Sequence, residues 1–190
     1  MVRTVEAPLV GRHTAGVLAY LGAASFAGLL ASISRGPRSR IPPLLGVISH
    51  VSLLPAIAWL PAPSWARPGG YAWMLLDTLL GVFELNLIAS EPPDDERERW
   101  EKLITWMRYG LHVCAATWII PASWRAPGWQ RVLGVVFGAS LGGFSFVAHR
   151  LPRPAMAPIG VLQVAWLAWI GWTLQRSRGP RSRRLFRFET

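Results

Sequence analysis

The sequence predicts an all-α membrane protein, a single domain (1–190) folded as a bundle of six transmembrane helices with both termini on the same side. The chain of 190 residues is 52% hydrophobic and only 16% charged. Its apolar residues form six blocks of about 18–20 residues, which is the length that crosses a bilayer. Short joints rich in Pro, Gly and Arg separate the blocks. An even number of spans returns the chain to the side on which it began.

The first two spans are predicted at 14–33 and 43–60. Small side chains in a row let a neighbouring helix approach closely, which is how bilayer helices gain packing contacts. The second span holds His50 and Pro55, and Pro55 is expected to kink it because proline has no backbone N–H to donate. The first span carries a row of these small side chains, with alanine at every fourth position: Ala15, Ala19, Ala23, Ala27 and Ala31.

The third span, predicted at 71–89, is unusual because it holds two acids, Asp77 and Glu84. Seven residues separate them, so at 100° per residue they lie within about 20° of one helix face and roughly 10 Å apart. Each acid costs on the order of 2.5–3.5 kcal/mol near the centre of a bilayer. Both acids therefore need partners within the protein.

The remaining spans are predicted at about 103–120, 131–148 and 157–174. A charged joint, 90–102, precedes the fourth span, and a basic tail, 175–190, follows the sixth. The fifth span carries a second ridge of small residues: Gly134, Gly138 and Gly142. This ridge predicts another close contact between helices.

The positions of the tryptophans support six spans. Aromatic side chains concentrate at the two membrane–water interfaces. In a six-span arrangement Trp100 and Trp106 fall toward one side, and the other nine tryptophans fall toward the side of the termini: Trp59, Trp65, Trp73, Trp118, Trp124, Trp129, Trp166, Trp169 and Trp172. These nine predict an aromatic belt. Basic residues are nearly balanced between the sides, with a small excess that favours termini in the cytosol.

Composition also indicates which partners to expect. The formal charge is +10, but the arginines gather at the ends of the blocks, where guanidinium groups meet lipid phosphates. A nucleic-acid-binding face needs a contiguous basic surface with base-reading groups, so membrane lipid is expected and nucleic acid is not. Cys114 is the only cysteine, which excludes an intrachain disulfide. Glycine-rich nucleotide loops, CxxC pairs and HExxH are absent, so no cofactor is expected.

Antiparallel packing of neighbouring spans predicts one polar layer at mid-depth. With residue 89 level with residue 103, Glu84 falls level with Arg108, and His112 falls between the two acids. The same matching of the second and third spans places His50, in the second span, at this depth. The predicted layer is thus His50, Asp77, Glu84, Arg108 and His112. Depth matching makes Glu84 the neutralised acid and Asp77 the freer one.

Two interpretations of this layer stay open. In the structural one, a buried network fixes the helix register, with Glu84 paired to Arg108 and Asp77 paired to a histidine. In the functional one, a desolvated carboxyl group in a polar pocket donates or relays a proton. The catalytic candidates are then Asp77, Glu84, His112 and His50, with Asp77 as the acid. The candidates for binding substrate are Arg108, Trp73 and Trp106.

Three acids in the charged joint, Asp94, Asp95 and Glu98, spell DDxxE. Clusters of this kind hold Mg²⁺ on diphosphates because hard oxygen ligands suit a hard cation. The pattern resembles the first acidic motif of prenyl-diphosphate enzymes, which implies a weak magnesium site here, although the second acidic motif of those enzymes is absent. The favoured alternative is the start of a helix, with acids at its positive end and Glu98 paired to Lys102.

The polar layer predicts a membrane-bound enzyme, a cyclase or isomerase that acts without a cofactor on an isoprenoid-like or lipid-like substrate. Asp77 would protonate an alkene or epoxide, Glu84 or His112 would remove the final proton, and aromatic rings would stabilise cationic intermediates. The alternative is a proton-coupled transporter or a non-catalytic subunit of a larger homo- or hetero-oligomeric membrane assembly. Transporters often contain inverted repeats, and none is clear in this sequence.

Overall fold

A computed structural model describes residues 10–36, 38–147 and 157–176. These residues form six α-helices and no β-strand. All but α4 are long and apolar enough to cross a membrane. The helices are α1 (Arg12–Ser32), which a 3₁₀ turn extends over Ile33–Arg35, α2 (Ile41–Trp59), α3 (Arg67–Ser90), α4 (Asp94–Trp124), α5 (Gly128–Val147) and α6 (Ala157–Arg176). The basic tail predicted at 175–190 lies outside the described residues beyond Arg176.

Helix α4 differs from the others because its first third is charged. It begins at Asp94, so most of the charged joint at 90–102 is helical, which confirms the helix start favoured for its acids. Its first turn contains acids, which are stabilised there because the N-terminus is the positive end of the helix dipole. Pairs four residues apart continue the helix: Arg97 with Glu101, Arg99 with Asp95, and Lys102 with Glu98. With 31 residues, α4 is about 46 Å long and exceeds the roughly 30 Å of a bilayer's hydrocarbon core.

The helices pack in chain order, each against the next, and α6 closes the arrangement by packing against α1. Close approaches at glycines show that α1 and α6 are antiparallel. Gly16 lies against Gln175, and Gly160 lies against Leu30. The start of α1 and the end of α6 therefore lie together. We call this the terminal end of the bundle, and we call the other end, where α1 ends and α4 begins, the opposite end.

The alanine row of α1 is used only in part. Ala15, Ala19 and Ala23 are buried, whereas Ala27 and Ala31 are exposed. Each step of four residues turns the side chain by about 40° around the helix, so a strict four-residue row leaves the contact face after a few steps. The predicted ridge is therefore half as long as the sequence pattern.

The glycine ridge of α5 packs against α4, as predicted. A Cβ atom on Gly138 would lie 2.8 Å from Cγ1 of Ile120, and one on Gly142 would lie 3.0 Å from Cβ of Ala116. At Gly134 the added atom would overlap the Ser123 side chain. The two helices are thus in contact at a distance that only glycine permits.

An aromatic core lies between the helices, in the half of the bundle that includes the terminal end. Trp73, Trp118 and Trp166 are fully buried, with ring centroids 6.4 Å apart for the first pair and 5.3 Å for the second. The Trp166 indole N–H donates to Oγ of Ser123 at 3.1 Å. These three residues do not belong to the predicted belt, because they are buried inside the bundle, where Trp118 packs against Gly70 of α3. Trp169 is also buried, and the exposed members of the belt are Trp65, Trp124, Trp129 and Trp172.

Candidate functional site

Three helices bring four charged or polar side chains into one connected network, which we call the α2–α4 network. Arg108 on α4 donates from Nε to Oδ1 of Asp77 at 3.0 Å and from Nη2 to Oε2 of Glu84 at 2.8 Å. Nε2 of His50 on α2 lies 3.1 Å from Oδ2 of Asp77. One guanidinium therefore joins both acids of α3, and one histidine extends the network to α2.

Local sequence explains this convergence. Asp77 and Glu84 lie two turns apart on one face of α3, and a single arginine between them reaches both. Gly81, on the same helix, is packed against α2, where an added Cβ would lie 2.7 Å from Cγ2 of Val47. Because α2 and α3 approach closely at this glycine, the short side chain of Asp77 reaches His50.

The orientation of His50 fixes where one proton lies. Its Nδ1 is 2.9 Å from the Gly46 carbonyl oxygen, and since a carbonyl only accepts, Nδ1 carries a hydrogen. Nε2 of the same ring faces Oδ2 of Asp77 at 3.1 Å. The ring therefore links the backbone of α2 to the carboxylate on α3.

Both pairings expected of a structural network are present: Glu84 is paired with Arg108, and Asp77 lies against a histidine, His50. The expectation that Asp77 is the freer acid is wrong, because Asp77 has two partners and its side chain is 11% exposed, against 28% for Glu84. Depth matching ignores the length of the arginine side chain, whose guanidinium group reaches Asp77 as well as the acid at its own level.

His112 is the member of the predicted layer that the network leaves free. It follows Arg108 by one turn and interacts electrostatically with Asp77. Its Nδ1 is buried and has no hydrogen-bond partner among the described residues. The ring of Tyr109 packs beside it with centroids 6.2 Å apart. Sequence reasoning placed His112 at the right depth, but no sequence signal shows that one of its ring nitrogens is unpartnered.

Of the two tryptophans predicted to bind substrate, the structure places one at the network and the other away from it. Trp73 is buried and meets the His50 ring edge-on at 5.8 Å, so it forms a wall of the network. Trp106 is 57% exposed and faces outward from α4, where its ring packs against Tyr109. Trp106 is therefore not one of the residues that form the α2–α4 network.

Each acid of the DDxxE cluster has its own basic partner. Asp94 lies 3.6 Å from Arg38, and the hydrogen bond from Lys102 lowers the pKa of Glu98 below its ordinary value. Asp95 pairs with Arg99 at 2.6 Å. A cleft of about 500 Å³ beside this cluster is lined by Pro93, Asp95, Glu96, Arg99, Trp100 and Leu103, and no network residue lines it. Within the described residues, no group of three or more His, Cys, Asp or Glu is arranged to hold a metal ion.

The fold and the network define the class: an all-helical protein with five helices able to cross a membrane and an ion-paired cluster between three of its helices. Comparison with known proteins gives no closer identity, since no family model, no curated protein and no solved structure matches this chain.

Proposed function

We propose that this chain is a multi-pass integral membrane protein with six spans and with both termini on one side of the membrane. Five helices have the required length and apolarity. The sixth span is the part of α4 from 103 to 124, which packs between α3 and α5. The charged first third of α4 then projects beyond the hydrocarbon layer, where its ion pairs meet water and headgroups.

Within this bundle we propose an acid/base enzyme, a cyclase or isomerase, that acts on a lipophilic substrate without a cofactor. The observation that carries the proposal is the buried, unpartnered Nδ1 of His112 beside a network whose other members are all paired. His112 exchanges the proton with the substrate, and Asp77, held by His50 and Arg108, provides a fixed charge beside it. Glu84 positions Arg108. The acid role expected for Asp77 thus moves to a neighbour with a free nitrogen.

The surroundings of His112 suit this chemistry. A buried imidazole nitrogen without a hydrogen bond is available to accept or donate a proton. The ring of Tyr109 packs beside His112 and meets the ring of Phe144 with centroids 6.0 Å apart. Aromatic faces stabilise cations, which is what the carbocation formed on protonating an alkene needs.

Solvent isotope labelling tests the proposal for any lipid substrate that gains a proton on carbon, whatever its structure. Membranes containing the protein are incubated with a total lipid extract in D₂O, and the lipids are compared by mass spectrometry. Proton transfer to carbon leaves a solvent deuterium in the product. His112→Phe, which keeps a ring, should lower the labelling rate by about 10²–10⁴-fold. The matched control is His13→Phe, at an exposed position at the start of α1, and it should not change the rate.

A structural role is the second candidate, because Asp77, Glu84 and Arg108 are all engaged in ion pairs. It predicts no labelled lipid, together with loss of folding when Arg108 is removed. A proton-coupled transporter predicts a flux driven by a pH gradient across proteoliposomes, with no new deuterated lipid. Labelling that persists in His112→Phe would overturn the proposed catalytic role of this residue.

A further inference from the structure

The two ends of the bundle carry different charges. The described residues of the opposite end include six basic and six acidic side chains: Arg35, Arg38, Arg40, Arg97, Arg99 and Lys102 against Glu91, Asp94, Asp95, Glu96, Glu98 and Glu101. The described residues of the terminal end include no Asp or Glu and five arginines: Arg12, Arg67, Arg125, Arg131 and Arg176. Within the described residues, the terminal end therefore has no acid of its own to balance its arginines.

Ion pairing increases this difference. At the opposite end four bases lie within 4.0 Å of a carboxylate oxygen: Arg38, Arg97, Arg99 and Lys102. At the terminal end, Arg131 donates from Nε to the Ala126 carbonyl oxygen, and Arg176 lies over the Trp172 ring at 4.5 Å. Nε of Arg67 is buried without a hydrogen-bond partner among the described residues. The guanidinium charges of these three side chains thus have no carboxylate to neutralise them in the described part of the chain.

Exposed tryptophans share the level of these arginines. Trp65 and Trp129 each lie two residues before an arginine, Arg67 and Arg131. The guanidinium group of Arg176 lies over the ring of Trp172. Indole rings favour the headgroup level of a bilayer, where one edge is apolar and the N–H is wet. The indoles therefore place the guanidinium groups at the level of lipid phosphates.

We propose that the terminal end binds the headgroups of anionic phospholipids. A guanidinium fork matches phosphate oxygens in two parallel hydrogen bonds, and an excess of cations at the surface attracts anionic lipids. A lipid is favoured over a free anion because the tryptophans beside the arginines contact acyl chains. The inference rests on the proposed membrane location.

Native mass spectrometry tests it on the full chain in mixed micelles containing phosphatidylglycerol or phosphatidylcholine. The wild-type protein should retain phosphatidylglycerol preferentially. Combining Arg67→Gln, Arg131→Gln and Arg176→Gln should lower its apparent affinity for phosphatidylglycerol about tenfold or more. The matched control combines the same change at three arginines of the opposite end (Arg35, Arg38 and Arg40), and it should keep the preference.

Three results would overturn the inference: equal retention of the two lipids, an equal loss in the control variant, or displacement of phosphatidylglycerol by inorganic phosphate, which would indicate a site for free anions. Helical content in phosphatidylcholine nanodiscs separates these results from failure of the membrane proposal. A protein that inserts and folds there but shows no lipid preference keeps its membrane assignment and loses only the headgroup site. A protein that inserts into no nanodisc overturns both proposals.

Discussion

Arg108 is the residue on which the α2–α4 network depends. Its guanidinium is the partner shared by Asp77 and Glu84, and its side chain is 32% exposed. Without it, two carboxylates would face one another across two helical turns of an apolar bundle. A buried charge that loses its partner costs far more than the pair contributes when intact.

Arg108→Gln should therefore lower the free energy of unfolding by about 3 kcal/mol, toward the lower end of the range for broken buried pairs because Arg108 is partly exposed. The measurement is reversible unfolding in mixed detergent micelles. Arg99→Gln is the control, since it breaks an exposed pair on α4, and it should cost less than about 1 kcal/mol. Adding Asp77→Asn and Glu84→Gln to Arg108→Gln should recover most of the loss. Equal losses in the two single variants would contradict the network.

Glu98 offers a test by pH outside the apolar layer. The hydrogen bond from Lys102 lowers the pKa of Glu98 below its ordinary 4.5. Because the pKa is lowered, the pair stabilises the helix fully at pH values above the ordinary pKa of a glutamate. This stabilisation is lost as the pH falls through the pKa that Glu98 has in the folded protein. In Lys102→Gln, an NMR titration should show the Glu98 midpoint rising toward 4.5. Arg131→Gln, at the other end of the bundle, should leave the midpoint unchanged.

The sequence predicts which residues occupy the polar layer and two of their pairings, but not the contact between Arg108 and Asp77. Depth along a helix follows from counting residues, so the two acids, the arginine and both histidines can be placed at one level. Pairing depends also on rotation about each helix axis and on side-chain reach. Rotation and reach give Asp77 two partners, and they leave Nδ1 of His112 without a hydrogen bond in the part of the chain that the structure describes.

At the scale of elements, the contact between α4 and α5 depends on glycine. Gly134→Ala would press a methyl group into the Ser123 side chain and against the Trp166 indole. Overpacking of this kind costs about 1–3 kcal/mol, so the variant should melt at a lower temperature in detergent. Gly143→Ala is the matched control because nothing lies within 4 Å of its added atom. Adding Ser123→Gly should relieve Gly134→Ala, and an unchanged melting temperature in Gly134→Ala would contradict the contact.

Helix existence was easier to predict than helix boundaries. The six apolar blocks of bilayer length stand out in the sequence by hydropathy alone, and each block contains a helix. The start of α4 at Asp94 was predicted from its acids and not from hydropathy, which is silent over a charged segment. Its helical signals were of another kind: Pro92 and Pro93 before an acidic first turn, then pairs four residues apart. Tryptophan misled the prediction of the belt because an indole is as suited to a packed core as to an interface.

At the scale of the whole molecule, the helix directions make a topology that labelling can test. In a Cys114→Ser background, single cysteines are introduced at Ser64 and Pro127, near the terminal end, and at Arg40 and Glu96, near the opposite end. A maleimide that cannot cross membranes should label one pair in sealed vesicles and the other pair only after permeabilisation. The pair of Glu96 and Pro127 tests α4 alone. Labelling of both from the same side would mean that α4 does not cross.

The division of the tryptophans between the aromatic core and the terminal end has an optical consequence. Trp73, Trp118 and Trp166 are shielded by protein on every side, whereas Trp65 and Trp129 are open to their surroundings. Brominated acyl chains quench indole emission only on contact, so they would dim the outer rings and spare the inner three. One fluorescence experiment would thus follow lipid insertion through the quenched fraction, and assembly of the bundle through the blue-shifted remainder.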